Sequence, residues 1–123
     1  MPQVYVPQLP RRRKTHHGQP VKDSDGRDIW LEMDITVASV FGELREPVFL
    51  NTGVPPMSKD NVVRARHAMK NYNPDEDSIV AIGDPCAIAL LTSAAAIDHR
   101  KFSVLRWDNR VKQYIKLTFD FNH

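Results

Sequence analysis

Four adjacent cations, Arg11-Arg12-Arg13-Lys14, followed by His16 and His17, are the residues whose type and spacing point most directly to a chemistry. Such a run can neutralise successive phosphates and release their counterions, which gives salt-dependent, sequence-independent binding to nucleic acid. The two histidines could add charge at acidic pH. The same run also fits a solvated segment, or one that pairs with acidic residues of another protein. A second set, Lys59, Arg66 and Lys70, recurs at i, i+7 and i+11, with Arg64 and His67 beside it. On a helix these fall on neighbouring faces and could continue a phosphate track, or form the wet side of an amphipathic helix. Near the C-terminus, Arg106, Arg110, Lys112 and Lys116 interleave with Trp107 and Tyr114, a pattern that can stack bases and hold a backbone. Trp107 shares the alternation of Leu105 and is expected in the core.

Other chemistries find less support. Asn51-Thr52-Gly53 and Gly83-Asp84 fall where strands should end, and the ends of parallel strands are the usual place for a ligand crevice. A glycine ahead of a helix can present backbone N–H groups to an anion, but Asp84 would repel a phosphate, and no Gly-rich phosphate loop is present. Asp23, Asp25, Asp28 and Asp34 suggest a calcium loop, yet the glycine stands at loop position 4 instead of 6 and Arg27 fills position 5. A charged turn is the better reading. His67, His99 and His123 lack ligand spacing. Cys86 lies in a first helical turn, where the macrodipole favours a thiolate, but its neighbours Ala87 and Ile88 suggest an inert core thiol. With no nucleophile elbow or paired-carboxylate signature, the chain reads as a non-enzyme needing no cofactor or metal.

The elements that must position these residues follow from periodicity and punctuation. Pro2, Pro7, Pro10 and Pro20 disfavour helix at the start, and residues 1–28 read as an extended Pro-rich basic arm. Val4-Tyr5-Val6 could form an edge strand that adds to a neighbour's sheet. Arg11 to Gly18 should be mobile unless bound, and Asp25-Gly26 suits a turn pairing Val21–Lys22 with Ile29–Met33. Residues 29–123 then read as one small domain. Val48-Phe49-Leu50 predicts a buried strand. Ser58 predicts an N-cap for a helix over 59–72, with Val62, Ala65, Met69 and Tyr72 on its inner face. Ser78 to Ile82 predicts a second strand.

Asp84-Pro85 combines a capping carboxylate with the residue best suited to the first helical position. It predicts a helix over 85–98 that is apolar nearly all round, so buried on most sides or used at a contact with another chain. Phe102 to Trp107 and the segment to Phe121 predict a hairpin. Ile115, Leu117, Phe119 and Phe121 alternate there with Tyr114, Lys116, Thr118 and Asp120, which predicts a buried and a wet face. The strand-helix-strand-helix-strand order, with a C-terminal antiparallel strand, predicts a small, mostly parallel α/β sheet.

The opening Val4-Tyr5-Val6-Pro7-Gln8, the central Ile79-Val80-Ala81-Ile82-Gly83-Asp84-Pro85, and the closing Leu105-Arg106-Trp107-Asp108 with Tyr114-Ile115 resemble short uncharacterised proteins of bacteriophages. The resemblance implies a phage or mobile-element source and carries over no functional residue. Composition agrees with a small globular domain: 123 residues, 41% hydrophobic, and a formal charge of +2. That charge is uneven. Residues 1–28 hold six basic and three acidic side chains, net +3, and the rest hold eleven and twelve, net −1. A single cysteine and no long apolar run place the expected site of action in the cytoplasm, away from membranes. The expectation is a non-enzymatic accessory protein whose basic arm and helix stripe bind nucleic acid. The alternative is an assembly module that oligomerises through its arm and apolar helix, or regulates a host protein.

Overall fold

The computed structural model describes residues 1–32, 34–49 and 59–122. In chain order the strands are β1 (Gln3–Tyr5), β2 (Arg11–Arg13), β3 (Thr15–His16), β4 (Gln19–Pro20), β5 (Trp30–Glu32), β6 (Glu43–Leu44), β7 (Ser78–Val80), β8 (Lys101–Asp108) and β9 (Gln113–Asp120). A 3-10 turn spans Thr36–Phe41, and the two helices are α1 (Lys59–Ala68) and α2 (Pro85–His99). Five strands form one sheet in the order β6-β1-β7-β8-β9. Its first four strands are parallel, and β8 and β9 form the antiparallel C-terminal hairpin. The class is α/β, with a mostly parallel mixed sheet.

Both faces of the central strands are covered, which is why β1 and β7 are nearly continuous apolar runs. Tyr5 and Ile79 point to the helix side and pack with Ala65, Met69, Tyr72, Leu91 and Ala95. Val4, Val6, Val80 and Leu105 point the other way, against Ile35, Ala38 and Tyr114 beneath the 3-10 turn.

The first strand differs from the sequence reading. Val4-Tyr5-Val6 is no free edge: β1 lies between β6 and β7 and is buried on both faces. The segment expected as the first core strand runs beside it instead. Val48 and Phe49 donate backbone N–H groups to Val6 and Pro7 (both 2.9 Å), continuing β6 past Pro47. Leu50 and Ser58 lie outside the described residues.

Among the helices, α2 follows expectation closely. Asp84 caps it by accepting the Cys86 N–H (2.7 Å), Pro85 opens it, and Arg100 closes it in a left-handed conformation. Ala87, Leu91 and Ala95 form its buried stripe, while Ile97 stays exposed, so its burial is narrower than its composition suggested. α1 ends at Ala68, four residues before the expected position, and a turn carries Met69 and Tyr72 into the core. Val62 is on its exposed side. The C-terminal hairpin is correct in place but inverted in burial. Ile115, Leu117, Phe119 and Phe121 are exposed, whereas Tyr114 on the opposite face is buried. The reason is position: β9 is the sheet's outer strand, and α2 packs over β8.

Candidate nucleic-acid interface

The basic run is β-structured. Arg11, Arg12 and Arg13 pair antiparallel with Glu32, Leu31 and Trp30. Beyond this stem the chain splits into two short hairpins. One turns at His17-Gly18, both with positive φ, between β3 and β4. The other turns at Asp23 to Arg27 and closes through the Lys22–Asp28 bridge. Backbone bonds from Lys14 to Ile29 (2.7 Å), Val21 to Lys14 (2.9 Å) and Ile29 to Val21 (3.1 Å) join the three pieces. The expected turn at Asp25-Gly26 is present. The expected mobility of residues 11–18 gives way to strand pairing, because Trp30 and Ile29 return alongside the run and satisfy its backbone.

This pairing fixes what the cations face. Trp30 is 48% exposed, with the Arg13 guanidinium 5.4 Å and the Arg11 guanidinium 5.8 Å from its ring centroid. Guanidinium groups over an indole face are held by its quadrupole and are pre-arranged without being discharged. Asp28 accepts from Arg13 Nε (3.1 Å) and pairs with Lys22. The bond from Lys22, with the charge of Arg13, holds the Asp28 carboxyl below the usual carboxylate range. Asp23 accepts the N–H groups of Asp25 (2.9 Å) and Arg27 (3.0 Å), so it shapes a turn as the charged-turn reading expected. Among the described residues no group of three or more His, Cys, Asp or Glu could hold a metal ion.

The other sequence candidates are dispersed. Arg66 and Lys70 meet His67 and Asp98 in a cleft of about 410 Å³ between the C-terminal halves of α1 and α2. Lys59 stands at the far end of α1, about 10 Å along the axis from Arg66, and Lys70 lies beyond the helix end. The stripe is therefore not continuous along one helix. Arg110 is turned back on Asp108 (3.3 Å), and Lys112 on Asn109 (2.6 Å), both within the β8–β9 turn. Trp107, expected in the core, is partly exposed and packs edge-on against Tyr114 (5.1 Å). With Asp34, Ala81 and Ile82 these rings line a second cleft of about 320 Å³ that the sequence did not reveal.

The proposed ligand crevice is occupied by the chain itself. Gly83 has φ +104, and a Cβ there would stand 2.6 Å from Gln8 Cβ. The Gln8 side chain accepts the Asp84 N–H (2.8 Å), and Asp84 takes the next free helical donor. Asn51, Thr52 and Gly53 lie outside the described residues. Cys86 is exposed rather than in the core. Partial desolvation and the Asp84 carboxylate push its thiol up, against any activation by the helix dipole.

Trp30 and Asp28 are the residues that sequence reasoning missed. Neither stands near the basic run in sequence, and only the antiparallel register brings them to it.

These features define a small α/β sheet protein carrying a basic, tryptophan-bearing β-projection. The chain belongs to the Phage Pam3 gp32-like protein family, which it matches over residues 2–121. That match spans the sheet and the projection together, and agrees with the likeness to short bacteriophage proteins. No curated protein and no solved structure matches the chain. Among the described residues no helix is long and apolar enough to cross a membrane.

Proposed function

We propose that this phage protein is a non-enzymatic accessory factor that binds nucleic acid in the host cytoplasm through the projection formed by residues 11–32. The observation that carries this reading is the half-exposed Trp30 ring with Arg11 and Arg13 beside it. An exposed indole offers a stacking platform of about 1–3 kcal/mol per base, and flanking guanidinium groups bind the backbone on either side. Arg12 and Lys14 add charge on the same strand segment, and the stem's pairing lowers the ordering cost of binding. Backbone and stacking contacts of this kind carry no base code, so the binding is to single strands without sequence preference.

The test is a fluorescence-anisotropy titration with a labelled single-stranded oligonucleotide at two salt concentrations. Arg11→Ala with Arg13→Ala should weaken binding and flatten the salt dependence by about two units of slope. Trp30→Ala should weaken binding at both salts by roughly tenfold or more. Wild-type affinity in both variants overturns the reading.

A further inference from the structure

We propose that two copies of this chain pair through β9, edge to edge across a two-fold axis, to form one continuous ten-stranded sheet. β9 is the last strand of the sheet, and among the described residues no strand lies beyond it. At eight residues it is one of the two longest strands in the protein. The Phe121 N–H donates to Arg100 (2.7 Å) across the hairpin. With a period of two, the backbone groups of Phe119, Leu117 and Ile115 also turn toward β8. Those of Lys116, Thr118 and Asp120 therefore turn outward, along the open edge.

A two-fold axis through Thr118 places Thr118 opposite its own copy, Lys116 opposite Asp120, and Asp120 opposite Lys116. Every outward-turned residue then meets another outward-turned residue, so the edge donors and acceptors match in pairs. The same register sets Leu117 against Phe119 and Ile115 against Phe121 on the opposite face. Those four side chains are 38%, 44%, 38% and 54% exposed for Leu117, Phe119, Ile115 and Phe121, and they form one apolar stripe. Phe119 and Phe121 already flank Phe102 (centroids 5.5 and 6.3 Å), so half of the stripe is anchored to the core.

A lysine in an edge strand usually protects it from pairing. Here the two-fold register gives Lys116 a carboxylate opposite it, which turns a general barrier into a filter for one alignment. Shifting the alignment by one residue would set the apolar stripe against polar side chains. The stripe offers roughly 300 Å² per copy, and with the backbone edge the whole interface is on the order of 1,000 Å², the lower bound for a specific contact. The result is a reversible dimer with a dissociation constant in the micromolar range.

The test is sedimentation equilibrium of the full chain, with charge variants and a cysteine cross-link. The wild type should dimerise, Lys116→Asp should raise the dissociation constant at least tenfold, and Lys116→Asp with Asp120→Lys should restore it to within about threefold. Thermal melting of each variant separates loss of pairing from loss of fold. In a Cys86→Ser background, Thr118→Cys should form a disulfide-linked dimer on mild oxidation, because facing residues there lie about 5.5 Å apart. A wild type that stays monomeric near 1 mM overturns the proposal. So does a dimer that is indifferent to Lys116→Asp and fails to cross-link at Thr118→Cys.

Discussion

The Tyr72 hydroxyl donates to the Asp77 carbonyl oxygen (3.2 Å) and accepts the Ser103 N–H (3.0 Å), tying the turn after α1 to β8. Asp77 in turn accepts the N–H groups of Gln3 and Asn73, both at 2.8 Å. Two side chains thus join four stretches of chain. Burial pushes the Tyr72 phenol up to about 12, against the Ser103 N–H, which favours the phenolate. Between pH 10 and about 12 the unfolded chain ionises this group while the native state keeps its proton. Stability that is fully present below pH 10 therefore falls across that window, by on the order of 2–3 kcal/mol. Tyr72→Phe should cost about 1–3 kcal/mol at pH 7, since it leaves the Ser103 N–H unpaired in the interior. The variant should also lose less stability on going from pH 10 to 12. Tyr5 and Tyr114 are raised too, chiefly by burial, so the alkaline slope shrinks without vanishing. Urea denaturation of both proteins at pH 7, 10 and 11.5 measures this, and parallel slopes would contradict it.

At the scale of elements, the projection restrains its own charge. Asp28 engages two of its six cations, Arg13 and Lys22. Asp28→Asn should free both for phosphate, raising affinity for an oligonucleotide about three- to tenfold at low salt and steepening the salt dependence by about one unit. Unchanged anisotropy isotherms would show that these cations do not reach the ligand. The same element marks where the sequence was legible. Asp84-Pro85 announced α2, and the alternation of residues 114–121 announced β9, because caps and periodicity are local signals. The pairing of Arg13 with Trp30 was hidden, since a three-residue stem with no apolar run has no periodicity to read. Alternation also cannot say which strand is outermost, so it placed the Ile115-to-Phe121 stripe in the core when it stands at the edge. Asn51-Thr52-Gly53 and Gly83-Asp84 had the residue types of an anion site, but Gln8, from the other side of the sheet order, fills the space at Gly83.

For the whole molecule, order follows burial. The amides of Val80 and Leu105, in the doubly covered strands, should resist hydrogen exchange at least about 100-fold longer than those of the exposed stem and its two small hairpins. Exchange followed by mass spectrometry resolves the two regions, and uniform protection would contradict this division. The position of β1 has a consequence in time as well as in space. Val4 pairs with Ser78, far along the chain, and parallel contacts of such long range slow folding toward the millisecond-to-second regime. A ribosome adding about 5–20 residues per second needs several seconds to make the intervening segment. Throughout that interval the nascent Val4-Tyr5-Val6 segment has no β7 to receive it, so the sheet's innermost strand is also the one that waits longest for its partners.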